Sequence, residues 1–132
     1  MTQLKVRIAV IGLGYVGLPL AIEFGKKYKV LGFDIDQSRI EELKSCKDRT
    51  NEADLEGLML ATNLEIESEE VGLSFSSKNE DLNSYNVYIV TVPTPVKKNN
   101  TPDLSYLKNA CSKIGVNLKK GSFVVFESTV YP

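Results

Sequence analysis

Gly12, Gly14 and Gly17 stand between the apolar run 6–11 and a helix-like stretch at 15–24. Each glycine has its own physical use in that setting. The first allows a tight turn after a strand, the second lets main chain approach a pyrophosphate, and the third lets the next helix lie close to the strand. Main-chain N–H groups from Leu13 to Val16, with Tyr15 between them, would then point at the phosphates from the positive end of a helix. Asp34 closes the next apolar run, 22 residues after Gly12. A carboxylate there accepts hydrogen bonds from the hydroxyls of an adenosine ribose and repels a 2′-phosphate, which favours NAD over NADP. Arg39 suits either cofactor, since a guanidinium can meet a 2′-phosphate or lie along the ribose or adenine of NAD. A glycine turn alone is a weak sign, because any strand-to-helix turn uses glycine for positive φ. Here strand, turn, helix, second strand and terminal acid come in the required order.

Other reactive side chains say less. Thr91, Thr94 and Thr129 follow the fourth and fifth expected strands. Ligands of an open α/β sheet lie beyond the carboxyl ends of its strands, where these hydroxyls can reach a pyrophosphate or a nicotinamide ribose. Turn threonines also bond their own backbone, and spacing alone does not choose. Lys97, Lys98 and Asp103 read as a solvated loop and a helix cap. Cys46 and Cys111 lie far apart without metal-type spacing, as free thiols do in a reducing compartment. With no histidine in the chain, a Ser-His-Asp triad, a His-paired cysteine and a His-ligated zinc are excluded. No metal is expected, and any chemistry falls to Lys, Asp, Glu or Thr.

The elements that must position these groups alternate. Strands are expected at 5–11, 28–33, 73–75, 87–92 and 123–126, and helices at 15–24, 37–45, 53–60 and 103–118. Pro19 falls in or near the first helix's opening turn, where a missing N–H costs little, and Gly25 stops that helix. A short polar turn is expected at 79–84, and three prolines make 93–102 a loop. In the last helix Leu107, Ala110, Cys111 and Ile114 are expected to face the core. This order predicts an α/β fold, a Rossmann-type doubly wound parallel sheet in three α/β/α layers.

At 132 residues the chain fits one domain, 1–132, and its net charge of −1 without a basic block argues against nucleic acid or an anionic membrane surface. No apolar run nears the roughly 20 residues that span a bilayer, and the N-terminus lacks a secretory pattern, so a cytoplasmic protein is expected. The fifth strand is followed only by 127–132, which suggests a fold truncated after that strand, the first half of a longer enzyme. A complete small domain that buries the edge in an oligomer is the alternative.

Three ordered motifs carry a resemblance across the whole chain: Gly12-Leu13-Gly14-Tyr15-Val16-Gly17-Leu18-Pro19; Val92-Pro93-Thr94-Pro95 with Pro102-Asp103-Leu104-Ser105-Tyr106; and Glu127-Ser128-Thr129-Val130-Tyr131-Pro132. Together they resemble the UDP-glucose/GDP-mannose dehydrogenase family of nucleotide-sugar 6-dehydrogenases, and most closely its UDP-N-acetylhexosamine branch, which makes uronic acids for capsules and other surface polysaccharides. The resemblance implies oxidation of a sugar C6 alcohol to a carboxylate with two NAD reduced, through thiohemiacetal and thioester intermediates on a cysteine. It implies that Val16 and its loop hold the pyrophosphate, Asp34 and Arg39 the adenosine end, and Thr94 and Thr129 the nicotinamide side, with Thr129 also helping to order the hydrolytic water. The family's nucleophilic cysteine lies in a glycine-rich segment beyond this chain, and neither Cys46 nor Cys111 matches it. The UDP-sugar would be held mainly by the family's missing C-terminal half, and the full enzyme would be a homodimer or larger. The chain alone is expected to bind NAD and catalyse nothing. Two other readings stay open: a different two-domain NAD oxidoreductase such as a 3-hydroxyacid dehydrogenase, and a free-standing NAD-sensing domain.

Overall fold

Short β-branched runs separated by amphipathic helices cannot bury both strand faces except as a sheet between helical layers. The computed structural model describes residues 5–47 and 54–127 and has this arrangement. Its strands are β1 (Arg7–Ile11), β2 (Lys29–Phe33), β3 (Gly72–Ser76), β4 (Val87–Val90) and β5 (Phe123–Phe126). Its helices are α1 (Gly17–Gly25), α2 (Gln37–Lys44), α3 (Leu55–Glu67) and α4 (Ser105–Asn117), with a 3-10 turn at Asn79–Ser84. All strand pairs are parallel, in the order β3-β2-β1-β4-β5.

The two-residue period of β1 sorts its side chains between two cores. Ile8 and Val10 join Leu18 and Ile22 of α1, Ile40 and Leu43 of α2, and Leu58 and Ala61 of α3. Ala9 and Ile11 point the other way, onto Leu31, Phe33, Tyr88 and Val90, where Leu82 of the 3-10 turn and Ala110 and Ile114 of α4 cover them. Tyr88 is fully buried, and its hydroxyl lies 2.9 Å from the Leu82 carbonyl and 2.8 Å from that of Tyr85. Burial pushes the phenols of both Tyr85 and Tyr88 above their ordinary range.

Several expected boundaries move. Tyr15 and Val16 belong to the turn before α1. Gly25 ends α1 as expected, and a Cβ there would stand 3.0 Å from the Leu73 side chain, so it also permits close helix-to-strand contact. Helix α3 continues to Glu67, and the expected start at Ala53 lies outside the described residues. Cys111 faces solvent, not the core. Ala110 and Ile114 already form the buried stripe of α4, and one further residue turns the side chain about 100° away. Among the described residues no helix is long and apolar enough to cross a membrane.

From β1 the chain steps outward through β2 to β3, then returns to β4 on the opposite side of β1. Loops leaving β1 and β4 therefore diverge and open a crevice above the carboxyl ends of the strands.

Candidate dinucleotide-binding site

A cavity of about 660 Å³ fills that crevice. Its floor is the glycine turn, one side is the β2–α2 junction, and the other is the 91–95 loop with α4. Gly12 continues the β1 ladder, its N–H donating to the Phe33 carbonyl at 2.8 Å, and then turns the chain at φ +95°. A side chain on Gly17 would overlap the Gly12 carbonyl oxygen and Thr91 Oγ1, so α1 can lie this close to β1 only without a Cβ. Gly14 is different: a Cβ there would meet nothing within 4 Å, because the residue opens on the cavity. The N–H groups of Tyr15 and Val16 have no protein partner among the described residues, and both residues line the cavity. Bare main chain, unpaired donors and the start of a helix suit an anionic diphosphate.

The β2–α2 junction is wired to this turn. Asp34 Oδ2 accepts from the Leu13 N–H at 2.9 Å, and Oδ1 accepts from the Asp36 N–H at 3.0 Å. The Leu13 N–H is thus aimed at Asp34, which corrects the expectation that it joins the phosphate cradle. Asp34 is half-buried on the cavity wall, and its two remaining lone-pair positions leave room for ribose hydroxyls. Arg39 also turns inward. It is 6% exposed, and Nε and Nη2 donate to the Leu13 carbonyl at 3.0 and 2.8 Å. Glu42 Oε2 lies 3.5 Å from Arg39 Nη1.

The threonines separate. The Thr91 hydroxyl donates to the carbonyls of Gly12 at 2.6 Å and Ile11 at 3.1 Å, so it ties two strand ends together. Thr94 is buried and lines the cavity. Thr129 lies outside the described residues. Asp103 holds the start of α4, its Oδ1 accepting from the Ser105 N–H at 2.9 Å, which keeps its carboxyl below the ordinary value. Lys97 lines no part of the cavity, and neither do Cys46 and Cys111.

Sequence reasoning missed the far wall. Tyr106, Asn109 and Lys113 line the cavity from one stripe of α4, and Glu127 joins them from the end of β5. Their spacing of three and four residues, flanking the core stripe, was the available signal. Ile35, 57% exposed beside Asp34, adds an apolar patch at the opposite end.

Comparison with known proteins agrees with this geometry. The model of the UDP-glucose/GDP-mannose dehydrogenase family, NAD binding domain, matches residues 6–132. A UDP-N-acetyl-D-glucosamine 6-dehydrogenase of Pseudomonas aeruginosa is 53% identical over 126 residues, covering 96% of this chain and 28% of that protein. A solved UDP-D-ManNAc dehydrogenase from Pyrococcus horikoshii superposes with a TM-score of 0.85 at 36% identity, over 96% of this chain and 29% of the other. A GDP-mannose dehydrogenase from Pseudomonas aeruginosa, solved as a ternary complex, gives 0.80 at 30% identity, over 96% of this chain and 29% of the other. The chain therefore spans a little over a quarter of the length of the relatives it matches.

Proposed function

Since the chain belongs to the UDP-glucose/GDP-mannose dehydrogenase family, as its NAD-binding domain, we propose that it is the cofactor half of an enzyme that oxidises the C6 alcohol of a UDP-N-acetylhexosamine to the uronate. The observation that carries the substrate class is the 53% identity to a UDP-N-acetyl-D-glucosamine 6-dehydrogenase. Family membership also sets aside a 3-hydroxyacid dehydrogenase. Bound NAD supplies the hydride acceptor for each of the two oxidations that turn an alcohol into a carboxylate.

The roles proposed for this chain's residues follow from the cavity. Gly12 turns the chain, Gly14 admits the diphosphate, and the N–H groups of Tyr15 and Val16 bind it from the positive end of α1, which Gly17 holds against β1. Asp34 takes the ribose hydroxyls of the adenosine and Arg39 braces that end. Thr94 serves the nicotinamide side, and the same role for Thr129 rests on the family resemblance alone. The UDP-sugar and the nucleophilic cysteine belong to the portion that the longer relatives have in addition, which fits with Cys46 and Cys111 standing outside the cavity. The product would enter surface polysaccharide synthesis. A homodimeric or larger enzyme rests on the family resemblance, and a cytoplasmic location on the two free thiols.

Calorimetry tests the cofactor role. The folded chain should bind NAD and discriminate against NADP, and Asp34→Ala should weaken NAD about tenfold or more, as expected for lost hydrogen bonds to a charged acceptor. No heat with NAD from a folded sample would overturn the assignment. Turnover of UDP-N-acetylhexosamines by the complete enzyme, with NADH followed by absorbance, tests the substrate.

A further inference from the structure

We propose that Arg39 is a positioning residue that shapes the diphosphate cradle from behind, through the Leu13 carbonyl. The inference rests on the reading of the cavity as an NAD site and concerns how that site is held. Leu13 is fixed at three points. Its side chain is 1% exposed in the core, its N–H is taken by Asp34, and its carbonyl receives two donors from one guanidinium. Hydrogen bonds from an ionised donor are about twice as strong as neutral ones. The guanidinium is itself anchored. Asp36 Oδ1 accepts from the Ser38 and Arg39 N–H groups at 3.0 and 3.3 Å, which fixes the first turn of α2, and Glu42 sits beside Nη1. A line of hydrogen bonds therefore runs from the α2 cap through Arg39 to Leu13, which leads directly into the cavity-lining residues Gly14, Tyr15 and Val16.

Arg39→Gln and Arg39→Lys in the whole chain test this, the second keeping the charge should the first fold poorly. In the ligand-free proteins, exchange of the hydrogen-bonded amides at this turn, Leu13 (to Asp34) and Leu18 (to the Gly14 carbonyl), should quicken about tenfold while β4 amides stay as in the parent. Affinity for NAD should fall about tenfold in Arg39→Gln and less in Arg39→Lys. Unchanged affinity for NAD in both variants would overturn the proposal. Unchanged exchange at Leu13 and Leu18 in both variants would overturn it too. Failure of the parent chain to bind NAD would defeat the NAD reading instead, and the exchange result would still decide whether Arg39 holds the turn.

Discussion

Gly14 and Gly17 lie on one turn yet answer to opposite constraints, one facing open space and the other facing backbone. Gly17→Ala should cost about 1–3 kcal/mol by overpacking against Gly12 and Thr91, read as a lower urea midpoint. Gly14→Ala should leave that midpoint nearly unchanged while weakening NAD about tenfold, because its methyl group stands where the diphosphate approaches. Asp103 provides a pH test. Its carboxyl is held below the ordinary 3.8 chiefly by the Ser105 N–H. Its contribution is therefore complete above the unfolded-state value and is lost as pH falls through the folded one. Protection of the Ser105 amide, taken relative to its intrinsic exchange rate, should fall on acidification through that window, and Asp103→Asn should flatten the response. At this scale the glycines and Asp34 were legible, because their backbone and end-of-strand roles follow from type and order. The inward turn of Arg39 was not, since a long side chain's direction depends on which carbonyl the fold brings within reach.

Elements were legible wherever the apolar pattern was clean. The five strands, the 3-10 turn and α4 stand within a few residues of their expected places. Helix α3 was understated because Leu55, Met59, Leu60 and Ile66 are all exposed, so its apolar residues do not form a single stripe. Cys111 was misplaced for a related reason: a small apolar residue beside a core stripe reads as part of it. Strand β5 carries the most consequential exposure. It is an edge strand with Phe123 68% and Phe126 53% exposed. Such an edge templates pairing with another chain. Sedimentation should show concentration-dependent association of the isolated chain, and Phe123→Lys or Phe126→Lys should reduce it several-fold.

For the molecule as a whole, one topological fact does most to make a site: the reversal of strand order at β1 and β4, which splays two loops apart. Alternation of strands and helices foretold a parallel sheet, while the α4 wall of the cavity depended on the angle at which that helix crosses, which no local pattern encodes. Ligand linkage gives the global test. At about 100 times its dissociation constant, NAD should add about 2.7 kcal/mol to the unfolding free energy, seen as a raised melting temperature, with NADP giving much less.

The tyrosines make this readable without any label. The chain has six of them and no tryptophan, so its longest-wavelength near-ultraviolet band is theirs. Tyr88 is sealed inside with its hydroxyl shared between two carbonyls, whereas Tyr15 is 69% exposed at the cavity rim. One chromophore is a gauge of whether the sheet is intact, and the other is a gauge of what has arrived at its mouth.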